Sequence, residues 1–271
     1  MDLERQYLPS LSVANSKDIF ALWIARANAT QEKLKYVPDI PYGPHPREVM
    51  DFYPADKAKG CVIFIHGGYW SSFSKFETSW VADNFLTQGF SVALLNYPLC
   101  PDVKIADICG SCTKAFVQLH TKVLNVAERQ AIVVTGHSAG GYLAANYLTV
   151  DWASLGLPSD PIKGVVALSG VFDVAPLMQT SLNTKLKLDQ AQAKALNLIT
   201  STPRSTAALV LAVGERESSE FHRQSADLAK SWAILRPQVL ELPQANHFTI
   251  VDDLSGGKGQ LNRLAIELAG G

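Results

Sequence analysis

The chain has 271 residues, about the size of one large α/β domain, with 47% apolar and 18% charged side chains. Its 24 Lys and Arg against 25 Asp and Glu reserve no face for polyanions, so neither nucleic acid nor an acidic membrane surface is expected as a partner. Residues 1–12 lack the basic and then apolar pattern of a secretory signal, and no apolar stretch approaches the roughly 18 residues of a membrane span, so a cytoplasmic location is expected.

Residues 12–35 read as a helix, which Pro38, Pro41, Pro44 and Pro46 break ahead of an alternating run at 48–53 that looks like a first hairpin. Short continuous apolar runs follow at 61–65, 91–95, 131–135, 164–168, 208–213 and 238–242, the pattern of strands buried on both faces. Helix-length segments separate them near 75–88, 103–127, 138–150, 219–234 and 258–269. Strand and helix alternating in this way predict right-handed crossovers and one α/β domain around a mainly parallel sheet covered on both sides. The interval 174–206 is longer than an ordinary connection and is expected to form a small helical cap over one edge of the site. Cys61, Cys100, Cys109 and Cys112 are too few for a disulfide scaffold. The Cys109/Cys112 spacing lacks the second pair of a zinc ribbon, so structural thiols are expected there.

In a parallel sheet the chemistry lies at the carboxyl ends of the strands. Directly after the run 131–135 comes Gly136-His137-Ser138-Ala139-Gly140-Gly141, and an apolar helical segment follows. This is GxSxG in a strand-turn-helix setting, where the glycines permit a bend sharp enough to lift a serine hydroxyl above the sheet. A capping serine at a glycine-rich helix start is the bland alternative. A serine needs a base, and the base needs an acid, in the chain order Ser, acid, His. His247 follows the last strand in a polar loop and is the candidate base. His45, His120 and His222 lie elsewhere, and His137 is expected to turn its side chain away from the site. Glu215, Glu217 and Glu220 follow the run 208–213; alternation would put the first two on one side, and spacing favours Glu217 with Glu215 second. The segment His66-Gly67-Gly68-Tyr69-Trp70 lets the main chain approach a carbonyl with its amides inward, so Gly68 and Tyr69 with Ala139 are the expected oxyanion donors.

These residues resemble the α/β-hydrolase superfamily, and His66–Trp70 with Gly136–Gly140 resembles the kynurenine formamidase (arylformamidase) group and its esterase relatives. Gln6-Tyr7-Leu8-Pro9, Tyr42-Gly43, Asp51-Phe52-Tyr53-Pro54 and the run 220–225 extend the likeness to about two thirds of the chain, least over the cap. The resemblance implies an α/β-hydrolase fold and a triad mapping onto Ser138, Glu217 and His247, with Glu217 standing where the family usually has Asp. A second departure is Asn96-Tyr97-Pro98-Leu99, since relatives usually carry an arginine after that tyrosine.

The expected reaction is acyl transfer to water through an acyl-serine, with no cofactor and no metal, because no HExxH or clustered ligand set occurs. Tyr69, Trp70, Phe73 and Phe248 are the candidate walls of a small-molecule pocket, although Phe73 and Phe248 read equally well as core. An arylformamidase, another small-substrate carboxylesterase or amidase, and a non-catalytic hydrolase-fold binding protein are the three readings. A homodimer is the assembly left open.

Overall fold

Apolar runs without polar alternation need cover on both faces, and the central strands obtain it. The computed structural model describes residues 2–270. Among these, eight strands build one sheet: β1 (Val37–Pro41), β2 (Val49–Tyr53), β3 (Gly60–Ile65), β4 (Phe90–Leu95), β5 (Ile132–His137), β6 (Gly164–Leu168), β7 (Ala208–Gly214) and β8 (Gln238–Leu242), in the spatial order β1-β2-β4-β3-β5-β6-β7-β8. β1 and β2 are antiparallel to each other, β2 is antiparallel to β4, and every later pairing is parallel. Ile65 lies opposite Leu95 on one side and Gly136 on the other. The strand ends are thus level, and the segments that leave them converge.

The helices are α1 (Leu3–Tyr7), α2 (Ser16–Lys33), α3 (Ala82–Thr87), α4 (Ile105–Gln118), α5 (Val126–Gln130), α6 (Ala139–Asn146), α7 (Asn183–Leu186), α8 (Gln190–Ala195), α9 (Ser219–Ser231), α10 (Asp252–Ser255) and α11 (Gln260–Leu268). Successive strand residues serve opposite layers. Cys61, Ile63 and Ile65 pack with α4, α6 and α9, whereas Val62 and Phe64 pack with α2, α3, α10 and α11. None of these helices is long and apolar enough to cross a membrane.

Several elements depart from the sequence expectation. The Pro-rich stretch is not simply a break, because Pro38 and Pro41 lie in β1, at the sheet's outer edge where missing amide donors are tolerated. β8 is the other edge and is largely exposed rather than buried on both faces. The expected helix at 12–35 is narrower, and the short α1 precedes it, capped by Asp2. The interval 174–206 forms α7, α8 and flanking 3-10 turns. Leu177, Leu186, Leu196 and Leu198 of that interval join the core.

Candidate active site

Ser138 stands between the end of β5 and the start of α6 with φ 56° and ψ −119°, a conformation unfavourable for any residue with a side chain. Its amide donates to the Leu168 carbonyl at 2.8 Å, and its own carbonyl accepts from the Tyr142 amide at 3.1 Å. The turn closes because Gly140 brings α6 against β3: a Cβ there would lie 2.0 Å from the Ile65 carbonyl oxygen. Sterics therefore explain the motif at this point, and the strained backbone presents the hydroxyl at a helix N-terminus.

His247 lies in the loop after β8. The Asn246 side chain accepts from the amides of Phe248 and Thr249 at 2.9 and 3.0 Å and fixes the turn that carries the imidazole. Its Nδ1 donates to Glu217 Oε2 at 2.6 Å, and the two side chains are 4% and 0% exposed. The other Glu217 oxygen accepts from Ser169 Oγ at 2.6 Å and from the Gly214 amide at 2.7 Å. A carboxylate with three donors around it is held as an acceptor and leaves Nε2 as the imidazole nitrogen available for proton exchange.

Glu215 does not share that side. Residues 215–217 form a turn, so strand alternation stops at Gly214, and Glu215 accepts instead from the Gln244 amide at 2.6 Å. Glu220 begins α9 and receives bonds from Tyr7 and Arg223. His137 also departs from expectation. It faces the α2 layer, but the loop carrying His247 wraps onto that layer, and His137 Nε2 donates to the His247 carbonyl at 2.7 Å with the rings 4.8 Å apart. Burial, then the neighbouring His247, hold its pKa well below the usual value, so it is a neutral donor.

In the segment after β3, Gly68, Tyr69 and Trp70 all have positive φ, at 100°, 49° and 53°. A Cβ on Gly68 would meet the Ser72 carbonyl at 2.3 Å, which is the local demand for glycine. The segment is clamped from outside. Tyr97 donates to the His66 carbonyl at 2.8 Å and stacks on its ring at 4.2 Å, the Cys100 amide donates to the Trp70 carbonyl at 2.7 Å, and the Tyr69 hydroxyl donates to the Tyr7 carbonyl. Burial lowers the His66 pKa to about 3, so that ring is neutral packing. At the same corner Arg47 bonds the carbonyls of Tyr97 and Phe73 and the Asn96 side chain, so a guanidinium reaches the place where Pro98 follows the tyrosine.

A cavity of about 220 Å³ opens over Ser138 and His247. Gly68, Tyr69, Ser72 and Phe73 form one side, Phe248 another, and Leu182 is the contribution of the 174–206 interval. Trp70 does not line it. The indole is wholly buried against Tyr142, because the positive φ at 70 turns it inward. Ala139 is buried behind Ser138 as the first residue of α6, where helix amides lack internal partners. The remaining wall was not foreseen: Leu8, Pro9 and Ser10, with Phe20 and Trp23 of α2. The i, i+3 spacing of the two aromatic residues is its one sequence signal. Cys109 and Cys112 are free, and burial raises both thiols, Cys109 to about 12.

The mainly parallel sheet and the serine elbow define an α/β hydrolase. Residues 50–230 match the family described as BD-FAE, and the chain belongs to it. It is 27% identical to the kynurenine formamidases of Salmo salar and of Danio rerio, in both cases over 99% of this chain and 96% of the relative. A thioesterase candidate of known structure from Silicibacter sp. tm1040 is 29% identical, with a TM-score of 0.89 over 98% of this chain and 99% of that one. An esterase from Pyrobaculum calidifontis shares the fold, with a TM-score of 0.73 at 14% identity over 94% and 92% of the two chains. This protein is a hydrolase.

Proposed function

We propose that the hydrolase cleaves a small aryl formamide such as N-formylkynurenine through an acyl-serine intermediate. The buried contact of 2.6 Å between Glu217 and His247, beside the cavity that Ser138 also lines, is the observation that supports it most. In this reading Ser138 Oγ attacks the formyl carbon as His247 Nε2 takes its proton, and Glu217 stabilises the imidazolium. The amides of Gly68, Tyr69 and Ala139 hold the tetrahedral oxyanion. Collapse breaks the C–N bond while His247 returns the proton to the leaving arylamine. Water, deprotonated by the same histidine, then attacks the formyl-serine and releases formate.

A second reading, a carboxylesterase or amidase on another small substrate, is favoured by the cavity lining, which contains no Asp, Glu, Lys or Arg. The same machinery would serve it. Steady-state hydrolysis of N-formylkynurenine beside short-chain p-nitrophenyl esters, by the wild type and by Ser138→Ala, separates the two. A kcat/KM of roughly 10⁴ M⁻¹s⁻¹ or more on the formamide is expected for a natural substrate. Turnover of the esters alone would select the second reading, and full activity of Ser138→Ala would end both.

A further inference from the structure

We infer that the group bound next to the scissile bond is an uncharged aromatic or short apolar one, and that the N-terminal segment, outside the part of the chain shared with the BD-FAE family, sets this preference. The inference rests on the proposed serine-hydrolase reading and narrows its substrate class. Phe20 is the hub of the wall. Its ring centroid lies 4.9 Å from that of Phe248, 5.3 Å from Phe73 and 5.6 Å from Trp23, at interplanar angles of 75°, 63° and 61°. Edge-to-face packing of this kind offers ring edges and faces to a further ring. The family match spans 50–230, so Phe20, Trp23 and Phe248 all lie outside it. The matched segment carries the serine elbow and Phe73, and the rest of the aromatic wall comes from the two ends of the chain.

Charge is excluded by the same lining. The groups facing the cavity are aromatic and aliphatic side chains, three serines, Tyr69 and two histidines. Burial keeps His137 neutral, and its Nε2 is already committed to the His247 carbonyl. A carboxylate placed beside the scissile group would leave water without a cation or a set of donors to replace it. The cavity of about 220 Å³ also lies below the roughly 300–1,000 Å³ of sites for drug-sized ligands, which favours a single ring.

Formanilide and its 2-carboxy derivative, N-formylanthranilate, differ only by that carboxylate group. Two readouts apply: kcat/KM on the wild type, and Kd by calorimetry on Ser138→Ala, which needs no turnover. The neutral compound is expected to be preferred by about a hundredfold or more in both. Ser10 is exposed at the cavity wall, so Ser10→Arg adds a cation without disturbing packing and should narrow the ratio about tenfold. Phe20→Lys provides a second, more intrusive version of the same change. A preference within about threefold, a preference for the carboxylate, or no measurable binding of the neutral compound overturns the inference. Hydrolysis that persists in Ser138→Ala would instead overturn the serine mechanism, while the Kd ratio would still decide the preference.

Discussion

Glu217 is surrounded by donors alone: the His247 ring, the Ser169 hydroxyl and the Gly214 amide. An amide in its place must turn its NH2 toward one of them, whichever way it is rotated. Glu217→Gln is therefore expected to lower kcat about 10³- to 10⁴-fold by releasing the imidazole tautomer, whereas Glu215→Gln should leave kcat unchanged. Steady-state rates on any ester the wild type turns over check the pair; equal losses would move the acid away from Glu217. One Glu217 oxygen reaches His247 while the other stays tied to β7 and to the residue after β6. At this scale the sequence was most legible where the determinants are local. The glycines around Ser138 are adjacent in the chain, so their steric role could be read directly. Trp70 was misplaced because its direction depends on three successive positive φ values that no single residue announces.

α1 acts as a brace between the candidate site and the far layer. The Tyr7 carbonyl accepts from Tyr69, while its hydroxyl donates to Glu220 and accepts from Gln224 Nε2 at 2.9 Å. Tyr7→Phe leaves a buried carboxylate and a buried amide each short of a partner, and a loss of about 1–3 kcal/mol is expected in urea-induced unfolding. A midpoint equal to that of the wild type would show the brace to be idle. None of this was readable beforehand. A helix of five residues carries no usable period. α2 mixes buried Ile19 and Trp23 with Leu22 and Ile24, which are 54% and 45% exposed, so its apolar residues mark no single stripe and do not say which partner it meets. The prolines of β1 misled for a related reason, since a chain cannot state from its own composition that a segment will be an edge.

For the whole molecule, two buried carboxylates tie stability to acid. Arg223 is the main reason that Glu220 sits below its ordinary value of 4.5, with Tyr7 adding to it. Glu48 is lowered too, since burial pushes it up but Ser111, the His45 amide and Lys114 outweigh burial. Groups depressed in the folded state stabilise it above their unfolded pKa, and that contribution is lost as pH falls through the folded values. The melting temperature should thus be level on the acid side down to about pH 4.5 and fall below it, with a shallower fall in Glu220→Gln. The alternation of strands and helices made the central sheet legible, because each crossover is local. The cavity was less so, since Phe20 and Phe248 come from opposite ends of the chain and meet only in the finished fold. That meeting orders events during synthesis. A ribosome must pass residue 248 before the early aromatic residues of α2 find their last partner, and until then they stand partly uncovered. A product released shortly before His247 would hold all eight strands and the raised serine, yet have neither that histidine nor a closed wall. On the proposed mechanism such a product would lack its base and be inert, so the serine would become nucleophilic only as the wall closes beside it.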